Sequence, residues 1–236
     1  MADNGQRILA IGGVSIGPSS TDWPLHQYVL DLSGRERPRI CYVGTAGGDS
    51  ADDRAGFYAT FARHAEATHL DLFGRRVDDI EGFLVEQDAV YVGGGNTANM
   101  LAIWRVHGVD KAIRTAWERG VVLAGWSAGA ICWFEGGTTD SFGPRLRAFT
   151  GGLGLLAGSF CPHYSSEPAR RPLYEELVAG GTLPPGVACD DGAAAHYVDG
   201  ALATIVTEQA DRHGYRVEPD GAGGVTSITL AEELLP

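Results

Sequence analysis

One stretch, residues 120–134, constrains the fold of this chain more than any other, and it reads GVVLAGWSAGAICWF. Its first part, 121–124, is a short apolar run with β-branched residues, which is typical of a buried strand. The pattern Gly-Trp-Ser-Ala-Gly follows at 125–129, and a helical pattern comes after it. In a nucleophile elbow, a serine sits on a strained turn between strand and helix, with small residues on both sides. The stretch therefore predicts a strand–turn–helix unit with Ser127 as the candidate nucleophile.

A turn without chemistry is the alternative, because short glycine patterns recur by chance in a chain with 34 glycines. The strand pattern before the serine and the helical pattern after it favour the functional interpretation. A helix that begins at this point would also direct its first N–H groups at negative charge developing on a bound carbonyl group.

Strand-like and helix-like patterns alternate along the chain up to this elbow. Apolar runs predict strands at 6–13, 39–45, 68–73 and 89–92. Helical spacing predicts helices at 23–32, 52–65, 79–87 and 98–119. The last helix has a possible break at Gly108, and residues 15–22 read as a polar loop. Repeated β-then-α units favour a mostly parallel sheet covered by helices on both faces. Ligands bind such sheets beyond the carboxyl ends of the strands, where Ser127 falls.

The chain changes character after the elbow. Residues 135–154 are polar and glycine-rich, which predicts an active-site rim or a hairpin. A helix is predicted at 170–179, and the remainder from 201 to 236 reads as short strands. With 236 residues, we expect a single domain that spans 1–236.

Composition excludes several classes of partner. A formal net charge of −12 disfavours nucleic acid and anionic membrane surfaces. The chain has no apolar run of about 18 residues for a membrane helix, and its polar start lacks the apolar segment of a signal peptide. We therefore expect a cytoplasmic protein. The four cysteines are far apart and lie in or beside apolar segments, which favours buried thiols over disulfides or a metal site.

A second glycine motif, GGGN at 93–96, follows the predicted strand 89–92. It lacks the Lys and Ser/Thr of a P-loop and the spacing of a dinucleotide fingerprint. Three glycines leave backbone N–H groups uncovered, so a second oxyanion donor and a flexible turn both remain open as interpretations.

A serine nucleophile needs a base, and the base needs a group that orients it. Of the seven histidines, His163 is the best candidate, because it follows an apolar segment and Pro162 and so lies on a loop at a strand end. His196 and His213 are the other possible bases. The third group is predicted to be Asp191, ahead of Asp190, because both follow an apolar run and Gly192 allows a sharp turn.

Through GGGNT at 93–97, GWSAGA at 125–130 and PHY at 162–164, the chain resembles the peptidase E family of α-aspartyl dipeptidases, with cyanophycinase as a more distant relative. The resemblance runs from the first strand to at least residue 198. It implies a fold like that of class I glutamine amidotransferases, a three-layer α/β sandwich. It also implies cleavage of short peptides after an N-terminal aspartate, by a serine with a histidine and an acidic residue.

Carried over by residue, the resemblance implies roles for several positions. The catalytic serine and histidine fall on Ser127 and His163, and the acid, a glutamate in the family, falls on Asp191. Oxyanion donors are implied at the amides of Gly94 or Gly95 and of Ala128. Substrate contacts are implied for three side chains: Asn96, Asp140 for the substrate's free amine, and Arg170 for a carboxylate, with Arg171 beside it.

The expected function is thus a serine peptidase for short peptides, foremost dipeptides with an N-terminal aspartate. We expect it to need no cofactor or metal and to bind only its peptide substrate. We expect the protein to be a monomer or a homodimer. Two alternatives stay open. The first is an α/β-hydrolase-type esterase, whose triad order would require His196 or His213 as base. The second is an amidotransferase-like domain that binds a small molecule without catalysis.

Overall fold

The computed structural model describes residues 5–17 and 23–236, so residues 18–22 of the predicted polar loop lie outside the described part. The helices are α1 Trp23–Asp31, α2 Ala51–Phe61, α3 Ile80–Val85, α4 Thr97–His107, α5 Val109–Glu118, α6 Ala128–Ile131 and α7 Arg170–Ala179. The strands are β1 Arg7–Ile11, β2 Arg39–Val43, β3 Glu66–Leu70, β4 Ala89–Val92, β5 Val122–Trp126, β6 Gly136–Thr139, β7 Arg147–Phe149, β8 Ser159–Cys161, β9 Gly186–Cys189, β10 Ala193–Val198, β11 Ala201–Thr207, β12 Gly214–Pro219, β13 Val225–Thr229 and β14 Glu232–Leu234.

The larger sheet has eight strands in the order β14-β11-β10-β1-β5-β4-β2-β3. Its strands β1, β5, β4, β2 and β3 are parallel neighbours, and β10 closes the parallel block by pairing antiparallel to β1. The predicted parallel sheet is therefore confirmed. In its centre, β5 lies between β1 and β4, so the turn after β5 has a neighbouring strand end on each side.

Side chains of the central strands alternate between two apolar layers, as the period of a strand requires. On β5, Leu123 packs into the layer that holds Trp104 of α4 and Ile113 of α5. Its neighbour Ala124 packs into the opposite layer with Phe57 of α2. Helices thus cover both faces of the sheet, as predicted.

A second sheet of six strands, in the order β13-β12-β9-β8-β6-β7, was not predicted as a separate layer. Strands β6 and β7 form the hairpin expected between 135 and 154, with Gly137 opposite Phe149. Strands β6, β8 and β9 run parallel. Helix α7 packs on this sheet through Tyr174 and Val178.

Some boundaries differ from the sequence predictions. The third strand begins at Glu66 rather than at 68. By contrast, the possible break of the long helix at Gly108 is confirmed, because the φ of Gly108, 76°, is left-handed and ends α4 before α5 begins. The helix after the elbow is only four residues long.

All four cysteines are free and buried, as predicted, and burial raises the pKa of each thiol. Within the described ranges, none of the helices has the length and apolarity needed to cross a membrane.

Candidate active site

The turn after β5 has the backbone of a nucleophile elbow. Ser127 adopts φ 52° and ψ −114°, a conformation that a non-glycine residue rarely takes, and α6 begins at the next residue. The glycines on both sides are required by close backbone contacts. A Cβ atom on Gly125 would lie 2.5 Å from the Gly129 carbonyl oxygen, and one on Gly129 would collide with the carbonyl of Val92.

Ser127 lies between the ends of β1 and β4. Its backbone amide donates to the Ile11 carbonyl at 3.2 Å, which joins it to the end of β1. On the other side, a Cβ atom on Gly94 would lie 3.4 Å from the Ser127 Cβ. Because Gly94 follows β4 and Gly13 follows β1, the serine has one glycine turn on each flank.

The turn at Gly13 leads directly to a histidine–carboxylate pair. The His163 Nδ1 and Asp191 Oδ1 atoms are 2.6 Å apart. A Cβ atom on Gly13 would collide with Asp191 and would lie 2.7 Å from the His163 Cε1. His163 and Asp191 follow β8 and β9 of the second sheet, so that sheet supplies this pair to the edge of the first sheet where Ser127 lies.

The charge of Asp191 follows from its environment. Burial raises the pKa of Asp191, but hydrogen bonds to His163 and Ser166 and the charge of Arg212 act in the opposite direction, and the net pKa lies below the usual value. The carboxylate can therefore only accept, so His163 donates through Nδ1, and its Nε2 is left as the proton acceptor of the neutral ring. The His163 backbone, with φ 54°, is strained like that of Ser127.

Asp190, the alternative acid, has a different set of partners. Its side chain is buried, and its Oδ2 accepts hydrogen bonds from the His213 amide at 3.0 Å and the Tyr215 hydroxyl at 3.3 Å. These bonds attach the chain before β12 to the segment that carries Asp191. Of the two neighbouring aspartates, only Asp191 is hydrogen-bonded to His163 in the described part of the chain.

The candidate oxyanion amides are unpaired. Within the residues that the structure describes, the N–H groups of Gly94, Gly95 and Ala128 donate no hydrogen bond. Gly94 lies beside the Ser127 side chain, whereas a Cβ atom on Gly95 would meet the Ala46 carbonyl, and the φ of Gly95 is 129°. Two free amides, of Gly94 and Ala128, therefore flank the serine.

Asn96 and Asp140 lie at the rim formed by α4 and the loop after β6. The Asn96 side chain caps α4 by accepting from the Asn99 amide at 2.8 Å, and it donates to the Ser141 carbonyl at 3.0 Å. It therefore joins the loop of Asp140, an exposed residue, to the β4 turn. The predicted substrate contacts of both residues stay predictions.

Arg170 has an arrangement that the sequence did not indicate. It is buried, and it donates to the Thr138 carbonyl at 2.7 Å and to the Glu167 carboxylate at 2.7 Å. A guanidinium that joins α7 to β6 in this way does not favour the predicted contact with a substrate carboxylate. Its neighbour Arg171 pairs with Glu175 at 3.0 Å.

The two other candidate bases have partners elsewhere. His196 lies on β10, with its Nδ1 2.9 Å from the Tyr28 hydroxyl of α1. His213 pairs through Nδ1 with Glu232, 3.0 Å away.

Two residues of the site, Gln209 and Arg212, were not predicted from the sequence. A cavity of about 340 Å³ beside the histidine–carboxylate pair is lined by Gln209 and Arg212 of the turn between β11 and β12, together with Gly13, Val14, Ser15, His163, Asp191 and Gly192. The only signal in the sequence was a basic residue in a turn of an acidic chain.

A parallel α/β sheet that presents a serine on an elbow, beside a histidine–carboxylate pair, has the architecture of a hydrolytic enzyme. Residues 8–205 match the profile of Peptidase family S51. The chain belongs to this family and is a peptidase.

Individual relatives agree. The chain is 45% identical over 213 residues to the uncharacterized peptidase YgaJ of Bacillus subtilis (strain 168), which covers 90% of this chain and 92% of that one. Two solved structures share the fold, each at 16% identity. A peptidase from an acI-B1 actinobacterium superposes with a TM-score of 0.67, covering 98% of this chain and 97% of that one. A Listeria monocytogenes EGD-e protein assigned as a peptidase E superposes with a TM-score of 0.62, covering 96% and 100%. The predicted resemblance and fold class are thus confirmed.

Proposed function

We propose that this peptidase is a serine-type enzyme that hydrolyses short peptides, foremost dipeptides with an N-terminal aspartate, through Ser127, His163 and Asp191. The observation that carries the proposal is the 2.6 Å hydrogen bond between His163 Nδ1 and Asp191 Oδ1, at the edge of the sheet where Ser127 occupies its elbow. A carboxylate in this position holds the imidazole with Nε2 available as a base.

The proposed reaction has two steps. His163 Nε2 takes the Ser127 proton while Oγ attacks the scissile carbonyl, and the amides of Gly94 or Gly95 and of Ala128 donate to the resulting oxyanion. The imidazolium then protonates the leaving amine, the C–N bond breaks, and an acyl-enzyme remains. Water, deprotonated by the same imidazole, hydrolyses the ester and restores Ser127. Peptide and water are the only reactants.

Cleavage after the first residue of the substrate is supported by the rim. The exposed Asp140 follows β6, on the loop that Asn96 attaches to the β4 turn next to Gly94. A carboxylate there would pair with the free amine of a substrate whose first residue supplies the acyl group. This pairing would favour cleavage after the first residue.

The direct test uses Ser127→Ala, with Ser33→Ala as the matched control, since Ser33 follows α1 and, within the described residues, bonds only local backbone. We expect Ser127→Ala to lose at least about 10³-fold in turnover of Asp-Leu and of aspartyl p-nitroanilide, and Ser33→Ala to keep it. A serine-directed phosphonate should add its mass to Ser127 alone. Unchanged turnover in Ser127→Ala would refute the proposal.

A further inference from the structure

The cavity next to His163 lies on one particular side of the serine. In the large sheet, β5 has β4 on one side and β1 on the other. The free amides of Gly94 and Gly95 follow β4, whereas Gly13, His163 and Asp191 lie at the β1 side. The carbonyl oxygen of a bound peptide is therefore directed to the β4 side, and the leaving nitrogen, which takes its proton from His163, to the β1 side.

The β1 side is where the cavity of about 340 Å³ opens. Ligand pockets are commonly about 300–1,000 Å³, so this cavity is at the small end and suits a single amino-acid residue rather than a long peptide. Whatever residue follows the scissile bond would thus enter a space lined by Gln209 and Arg212.

The turn that carries Arg212 is attached at both ends to the segment that carries Asp191. At one end, the Glu208 amide donates to the Gly192 carbonyl at 2.9 Å. At the other, the His213 amide donates to the Asp190 Oδ2 at 3.0 Å, and the His213 carbonyl accepts from the Asp190 amide at 3.0 Å. Arg212 therefore keeps a fixed position relative to the catalytic pair instead of moving with a free loop.

The Arg212 guanidinium is available for a ligand. Its one ion pair in the described part of the chain is with its sequence neighbour Asp211, at 3.7 Å, where the aspartate side chain is 77% exposed. The other carboxylates nearby have their own partners, since Asp191 bonds His163 and Glu208 accepts from the Leu25 amide. A weakly paired guanidinium in a small cavity is well suited to a carboxylate, which it binds bidentately.

We infer that Arg212, assisted by Gln209, binds the C-terminal carboxylate of the residue that leaves, so that the enzyme selects peptides which end one residue after the scissile bond. This inference rests on the proposed function and adds to it the reason for a dipeptide substrate. Arg212 is a specificity residue in this view and takes no part in the proton transfers.

The alternative is that Arg212 acts only through Asp191, whose pKa its charge helps to lower. That role would affect every substrate by the same factor, because all of them need the histidine. A carboxylate-binding role affects only substrates that carry the carboxylate.

The experiment compares wild type, Arg212→Ala and Arg212→Lys on three substrates: Asp-Leu, its C-terminal amide Asp-Leu-NH2, and aspartyl p-nitroanilide. Arg216→Ala is the matched control, because it removes a somewhat more exposed arginine from β12 that pairs with Glu218 and does not line this cavity. A thermal unfolding curve for each variant checks that it folds.

We expect wild type to prefer Asp-Leu over Asp-Leu-NH2 by about 10- to 100-fold in kcat/KM, the range for a charged hydrogen bond. Arg212→Ala should lose this preference, mainly by a higher KM for Asp-Leu, and leave the amide and the anilide within about 2-fold, as expected for loss of uniform binding. Arg212→Lys should restore part of the preference.

Two results would overturn the inference and leave the proposed function intact. One is a wild-type enzyme that cleaves acid and amide equally well, and the other is an Arg212→Ala variant that loses the same factor on all three substrates. A wild-type enzyme that cleaves none of the three would overturn both.

Discussion

Of the three histidine–carboxylate pairs in the described part of the chain, the two that are joined through Nδ1 look alike locally and differ in what surrounds them. His163 pairs with Asp191 at 2.6 Å and His213 with Glu232 at 3.0 Å, each through Nδ1. The first pair lies against the Gly13 turn, at the carboxyl end of the parallel strands. The second joins the start of β12 in the small sheet to β14 at the edge of the large one.

The difference teaches that the pair itself does not define a catalytic site. An imidazole held by a carboxylate becomes a general base only where a nucleophile and unpaired amides share its location. Gly13 provides that location for the first pair, because a side chain there would displace both His163 and Asp191. The second pair connects two sheets, and its partners serve that packing.

The largest expected effect comes from exchanging the two imidazoles for amides. We expect His163→Gln to reduce kcat for Asp-Leu by about 10³-fold or more, because His163 takes the serine proton in the proposed mechanism. His213→Gln should remain within about 3-fold. Steady-state kinetics on both variants would decide, and a larger loss in His213→Gln would favour the esterase-like alternative.

The carboxylates should follow the same order with a smaller effect. Asp191→Asn replaces an acceptor by an amide that can hold the wrong tautomer of His163, and we expect a loss on the order of 10²- to 10⁴-fold in kcat. Glu232→Gln should change kcat by no more than a few-fold. Similar losses in both variants, measured at the same pH, would contradict the distinction between the pairs.

Asp190, the neighbour of Asp191, is expected to affect the stability of the fold rather than turnover. Asp190→Ala leaves the His213 amide and the Tyr215 hydroxyl without their acceptor, which costs about 1–3 kcal/mol. At about 2–4 °C per kcal/mol for a chain of this size, the midpoint of thermal unfolding should fall by several degrees. Asp220→Ala, in the exposed β12–β13 turn, is the control and should shift it less. An unaltered midpoint in Asp190→Ala would show that these bonds do not stabilise the turn.

The effect that is smallest at neutral pH concerns His196, which has no carboxylate partner in the described part of the chain. Burial, and then the charge of Arg7, lower its pKa to about 4. The unfolded chain, with an ordinary histidine pKa of about 6.5, binds this proton first, so His196 lowers the free energy of unfolding as the pH falls from about 6.5 to 4. A pKa difference of this size corresponds to at most about 3 kcal/mol, which is lost over more than two pH units.

Urea unfolding of wild type and His196→Gln across this pH range would measure it, because the glutamine can still pair with Tyr28 but does not titrate. The free-energy difference between the two proteins should change steadily in this range. A difference that is constant with pH would contradict the pKa of His196.

Much of the fold was predictable because its signals are local. Continuous apolar runs on β1, β2, β4 and β5 indicated buried strands, and small residues around Ser127 indicated the elbow. The separate second sheet was not predictable, because its short strands carry little periodic signal and its order mixes segments far apart in the chain. The place of Arg212 in the site was not predictable for the same reason, since the residues that surround a turn are determined by tertiary packing.

Some residues of the site could likewise be predicted from the sequence, and others could not. His163 could be chosen from seven histidines because its loop follows an apolar segment. Asp190 and Asp191, however, are adjacent and chemically identical, so the sequence could only rank them. Arg170 looked like a substrate ligand and is buried against Thr138 and Glu167.

The sequence by itself therefore determined the elbow, the parallel layer and the types of residue available for chemistry, since these depend on side-chain size and periodicity over a few neighbouring positions. The tertiary structure alone decided which charged groups meet. His163 and Asp191 are 28 residues apart and come together only because β8 and β9 are parallel neighbours. Such pairings depend on how two sheets pack, and the energy of that packing is spread over the whole core rather than contained in any one segment.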